Sequence, residues 1–128
     1  MVLPLRYSRA WLVMGWFLIG AAVLVSLVPG QSLPQTGVSD KLEHAVAYGV
    51  LSLWFAGIYP RSRYVVIALG LLLMGIGIEW AQGAMHFGRQ RDFHDVLANF
   101  VGVVGGLLVA LVGLGGWAQR VETWVRSR

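Results

Sequence analysis

Apolar residues in this chain come in long runs interrupted by short polar breaks, with neither the alternation of a half-buried strand nor the narrow stripe of a surface helix. A helix that crosses a bilayer needs about 20 mostly apolar residues. The runs predict such helices over residues 10–28, 41–59, 64–82 and 96–117. The first holds no charged residue, and in the fourth Asn99 is the only strongly polar side chain. The breaks have loop chemistry: Pro29-Gly30 through Ser39, then Pro60-Arg61-Ser62-Arg63, then Ala84 to Asp92. The first run follows Arg6 and Arg9 as a signal peptide would, but it exceeds the usual signal core and no A-x-A site follows, so it is expected to stay as a membrane helix. The expected fold is all-α: one domain over residues 1–128, an integral membrane bundle of four transmembrane helices.

Composition agrees. Of 128 residues 57% are hydrophobic and 12% charged, half the charge of an ordinary soluble domain, and mean hydropathy is +0.68. That excludes a disordered chain and an ordinary soluble enzyme. The net charge of +4 does not point to nucleic acid, because the arginines bracket apolar runs and form no stripe. Without cysteine there is no disulfide framework, thiolate metal site or cysteine nucleophile. Seven of the ten basic residues (Arg6, Arg9, Arg61, Arg63, Arg120, Arg126, Arg128) fall on one side if both termini are cytoplasmic, so the positive-inside rule predicts that orientation. Trp11, Trp80, Trp117 and Trp124 fall near predicted span ends, where interfacial aromatics sit. Gly102 and Gly106, and Ala45 and Gly49, are spaced as faces on which membrane helices approach closely.

The scarce polar groups gather at the other end. Asp40, Glu43, Glu79, Asp92 and Asp95, five of the six acids, fall in or beside the outer half, as do all three histidines and Asn99. Asp40, His44 and Tyr48 share one face of the second helix, Glu79 and Gln82 one face of the third, and Asp92, Asp95 and Asn99 one face of the fourth. Ionisable groups at membrane depth are costly and mark function by default. The second and fourth helices enter with their N-termini outward, so with Lys41, Arg89 and Arg91 they form a candidate anion site. Each group also has a structural reading. Asp40 and Asp92 are placed to cap helices, Lys41 and Arg89 to meet headgroups, Glu43 to be solvated and Tyr48 to fill core. His86 and His94 are expected in solvent. Metal-binding and nucleophile-elbow signatures are absent, and neither a metal nor a cofactor is expected.

The ordered pattern Asp40-Lys41-x-x-His44-x-x-x-Tyr48, Glu79-x-x-Gln82, then Gly88-Arg89-x-x-Asp92-x-x-Asp95-x-x-x-Asn99-x-x-Gly102 resembles the VanZ-like family of small bacterial membrane proteins, over about residues 27 to 108. The resemblance implies a bundle of about four membrane helices in the bacterial cytoplasmic (inner) membrane, with an outward-facing polar cluster. The family is named for a protein linked to teicoplanin resistance; its resemblance supplies no reaction.

The expected function is binding or modification of an envelope lipid, a lipid-linked cell-wall precursor or a glycopeptide at that cluster. Glu79, His44 and Asp95 would be the acid and base groups, and Asp40, Lys41, Tyr48, Gln82, Arg89, Asp92 and Asn99 would hold the ligand. Membrane lipids are the expected partners, nucleic acid is not, and a homo-oligomer is open. A small proton-coupled transporter or flippase, and a non-catalytic interaction protein glued by its polar groups, are the competing readings.

Overall fold

The computed structural model describes residues 1–27, 40–85 and 93–128, without the side chains of Asp40, Met85 and Phe93. These residues form five α-helices and no strand: α1 (Ser8–Leu27), α2 (Asp40–Ile58), α3 (Tyr64–Met85), α4 (Phe93–Val109) and α5 (Trp117–Arg126). Three stretches, Ser8–Leu27, Arg61–Ala84 and His94–Leu114, are long and apolar enough to cross a membrane, and the protein is membrane-embedded. Their outward faces agree: Val13, Phe17 and Leu24 on α1, Val65, Leu69 and Leu73 on α3, and Val101 and Leu108 on α4 are exposed. Apolar stripes of that extent are surfaces for another apolar phase.

The charged first turn of α2 (Asp40, Lys41, Glu43) separates it by composition from the other three. Nevertheless it is the central helix. It packs most extensively on α4 and also touches α1, α3 and α5. Tyr48, Leu51, Ser52, Phe55, Ala56 and Ile58 are all buried. Tyr48 and Leu51 build the main core with Leu71 of α3 and Val103 of α4. The small-residue faces of α2 and α4 meet each other. A Cβ on Gly102 would stand 2.1 Å from the Ala45 carbonyl oxygen, and one on Gly106 would stand 2.5 Å from that of Gly49. Only glycine allows backbones this close.

α2 ends before Pro60, as the restriction on the preceding residue favours. A 3₁₀ turn at Arg61–Arg63 leads into α3, which runs three residues past the expected 82. The fourth predicted span, 96–117, is corrected at its end. α4 widens into a π turn at Ala110–Leu114, and Gly116, with φ of 69°, turns the chain. The freed carbonyls are met by arginines: Arg120 Nη2 donates to the Gly113 and Gly115 oxygens (2.5 and 2.9 Å), and Arg61 Nη2 to that of Leu111 (3.3 Å). Cations suit this end of a helix. Trp117 therefore does not close a span. It opens α5 and packs edge-on against Trp11 and Trp54, its Nε1 donating to the Leu53 oxygen at 2.8 Å. Trp80 and Trp124 are exposed.

The remaining acid, Glu122, binds α5 to the start of α1. Its carboxylate accepts from the Arg6 and Tyr7 backbone N–H groups (2.7 and 2.9 Å) and from Trp11 Nε1 (2.8 Å). α1 has no acid in its first turn, so this distant carboxylate supplies the negative charge that the helix start favours. Burial works against the charged form; the Tyr7, Trp11 and Arg6 hydrogen bonds and the Arg126 charge outweigh it, and Glu122 ionises below the ordinary carboxylate value. A carboxylate depressed in this way adds stability that is present above its unfolded pKa and lost as pH falls through the folded one. Glu122→Gln is therefore expected to melt below the wild type at neutral pH, with the gap closing on acidification; thermal scans at several pH values check it, and a gap independent of pH counts against it.

Candidate functional site

At the end of the bundle away from the termini, α2, α3 and α4 each turn polar side chains inward. Spacings of three and four residues on α2 put Lys41, His44 and Tyr48 on the face that packs against α4, which answers with Asp95 and Asn99. Lys41 Nζ donates to Asp95 Oδ1. His44 Nδ1 donates to Asn99 Oδ1 at 2.8 Å, and its other nitrogen, Nε2, faces Asp95 Oδ2 at 3.7 Å. The amide oxygen can only accept, so His44 Nδ1 carries a proton toward it, and Nε2 is turned toward a carboxylate.

The group grades from wet to dry. The Lys41 side chain is 42% exposed, His44 13% and Asp95 9%, while Asn99 is fully buried. Below them lie Tyr48 and Glu79, both buried, with Glu79 within electrostatic reach of Tyr48. Gly75, one turn before Glu79 on α3, makes room for this: a Cβ there would stand 2.7 Å from Asn99 Nδ2 and 3.3 Å from the Tyr48 hydroxyl. Gln82 is buried and donates from Nε2 to the Ser26 oxygen at 2.7 Å, tying α3 to the end of α1. Its Oε1, equally buried, has no hydrogen-bond partner among the described residues.

The structure therefore brings Lys41, His44, Asp95 and Asn99 into one connected cluster, with Tyr48 and Glu79 buried below it. Gln82 joins from the neighbouring turn of α3. Arg89 and Asp92, with Arg91 and His86, lie outside the described residues, and so does the Asp40 side chain. Lys41, which could have served only as a headgroup contact, is instead held by Asp95. Glu43 and His94 are exposed. Among the described residues no three of His, Asp and Glu come together as a metal site.

Gly75 is a contributor the sequence reading leaves out, and Ser52 enters it only as the one polar side chain of α2 below Tyr48. Gly75 is visible only as a small residue one turn from Glu79 on the same face. Ser52, fully buried one turn beyond Tyr48, continues the polar face of α2, but its hydroxyl is spent on the Gly49 oxygen at 3.0 Å. Beyond it the core is apolar: Leu51, Leu71, Val103, Phe55 and Ile58 close the way toward the termini.

Comparison with known protein families, with curated proteins and with solved structures finds no match to this chain.

Proposed function

We propose that this is a VanZ-like protein of the bacterial cytoplasmic membrane, crossing it four times with both termini inside, whose polar cluster faces outward and binds the phosphate-bearing headgroup of an envelope lipid or lipid-linked cell-wall precursor. The observation on which this rests is the connected series Lys41–Asp95–His44–Asn99, open to water at Lys41 and dry at Asn99. A half-exposed ammonium held over a partly buried histidine is an arrangement that meets an anion entering from the aqueous side. Gln82 Oε1, buried without a partner among the described residues, suits a hydroxyl or N–H of the same ligand. As for the fourth crossing, α2 has 19 residues, about 28 Å of helix, and it runs between the same two ends as its neighbours. The basic excess at the termini favours a cytoplasmic placement of that end. The link to teicoplanin resistance comes from the resemblance alone.

The apolar core below Ser52 weighs against a proton path through the monomer, and polar glue does not require a charged group at the mouth. If chemistry accompanies binding, His44 with Asp95 is the acid–base pair, Nε2 being the nitrogen that faces the carboxylate.

The test is a calorimetric titration of the detergent-purified protein with a short polyprenyl phosphate and the matching polyprenyl alcohol. The phosphate should bind saturably and the alcohol weakly. Lys41→Gln should weaken the phosphate by about tenfold or more, the worth of a hydrogen bond to a charged group. Equal binding of phosphate and alcohol, or indifference to Lys41→Gln, sinks the reading.

A further inference from the structure

On the opposite half of the molecule, nearer the termini, a cavity of about 570 Å³ opens between α1 and α3, floored by the end of α2. Trp16, Ile19 and Val23 of α1 form one wall, and Gly70 and Met74 of α3 are part of the other. Arg63 stands at its mouth. From Arg63 to Met74 the groove follows eleven residues of chain, about 16 Å at the helical rise.

Three observations bear on what fills it. Its walls belong to two helices apolar enough to cross a membrane, and of α1 only Gly15 is buried, so the opening faces sideways into hydrocarbon. Apart from Arg63 its lining side chains are apolar or aromatic, and Gly70 leaves a gap in the α3 wall. The cationic side chain on its wall, Arg63, is uncommitted. Arg61, Arg120 and Arg126 donate to backbone oxygens, while the exposed Arg63 guanidinium makes no hydrogen bond or ion pair among the described residues. An apolar slot with a free guanidinium at the level where the spans emerge is complementary to a fatty tail joined to an anionic head.

We propose that this groove holds one acyl chain of an anionic phospholipid from the leaflet on the termini side, with Arg63 on its phosphate. The groove shares no lining residue with the polar cluster.

Gly70 allows a clean test. It lines the groove, and a Cβ added to it meets nothing within 4 Å, so Gly70→Leu fills the slot without displacing protein. The protein is exchanged into vesicles of equal phosphatidylglycerol and phosphatidylcholine, extracted, and its retained lipid counted by native mass spectrometry. The wild type should keep one lipid, with phosphatidylglycerol preferred about fivefold, the size expected of one arginine at a charged membrane surface. Arg63→Ala should keep the lipid and lose the preference. Gly70→Leu should lose the lipid with an unchanged melting temperature. The proposal is overturned if neither variant alters count or preference, if Arg61→Ala rather than Arg63→Ala removes the preference, or if Gly70→Leu changes the oligomeric state and leaves the lipid in place.

Discussion

Gly102→Ala is expected to destabilise the protein by about 1–3 kcal/mol or more, although it adds a single methyl group. Alanine is a better helix former than glycine by up to about 1 kcal/mol, so propensity alone gives the opposite sign. The new Cβ would stand 2.1 Å from the Ala45 carbonyl oxygen and 2.9 Å from its Cα. These are backbone atoms of α2, which no rotamer change can move aside, so the two helices must part. Overpacking against backbone falls at the upper end of the usual cost. Gly105 is the control. It lies on the same helix, and an added Cβ there meets nothing within 4 Å, so Gly105→Ala should be neutral or mildly stabilising. Thermal unfolding of both variants in the same detergent reads the difference; equal melting temperatures would show that the α2–α4 contact is looser than described. The effect should extend to the polar end. Lys41–Asp95 and His44–Asn99 bridge the same interface one to two turns away, so parting the helices lengthens both pairs and Gly102→Ala should also weaken phosphate binding.

That coupling was partly visible in the sequence. Alanine and glycine at 45 and 49, and glycine at 102 and 106, announce two close-packing faces, but spacing does not say that they pack on each other. The pairing follows from tertiary contact. The apolar runs define α1, α3 and α4 because a bilayer-length run has few other uses, and the period-four spacing of His44 and Tyr48 identifies the inward face of α2 because that period is the helix's own. The end of the fourth run was misjudged for a physical reason. Hydropathy does not register that Gly115 and Gly116 permit a turn, or that Arg61 and Arg120 can take up carbonyls released by unwinding. Trp117 accordingly read as an interfacial anchor when it is a packed member of an aromatic trio. Glu122 left a sequence trace in hindsight: it is the one acid at the basic end, and α1 begins without an acid or cap of its own. Its partners are more than a hundred residues away, beyond the reach of any local pattern. Gly75 is hardest to find, since its contribution is the absence of a side chain opposite Asn99 and Tyr48.

Asn99→Leu should have the largest effect on function, and it separates a binding site from polar glue. Asn99 is fully buried, and its oxygen accepts the His44 Nδ1 proton. Leucine fits a similar volume without the acceptor, leaving a largely buried N–H unsatisfied at a cost of about 1–3 kcal/mol. If the cluster were glue, that loss of stability would be the whole effect. If the cluster binds an anion, more is lost, because the amide oxygen also sets which nitrogen of His44 faces Asp95. Without it the imidazole is free to take the other tautomer or to rotate, and the ordered path from Lys41 inward breaks at its third member. Asn99→Leu should then lower affinity for a polyprenyl phosphate by at least tenfold under conditions where the variant is still fully folded. The nitrogen-15 spectrum of His44 should change from a single Nδ1-protonated form to a mixture. Asn99→Asp, which keeps an acceptor at the same place, should restore the Nδ1 proton even if it does not restore affinity. A folded Asn99→Leu protein with unchanged phosphate binding and an unchanged His44 tautomer would reduce the cluster to packing. Gly75→Ala makes the same point more gently. Its Cβ would stand 2.7 Å from Asn99 Nδ2, the movable end of a side chain, so it should disturb the His44 tautomer with little change in melting temperature, whereas Gly77→Ala, which meets nothing within 4 Å, should do neither.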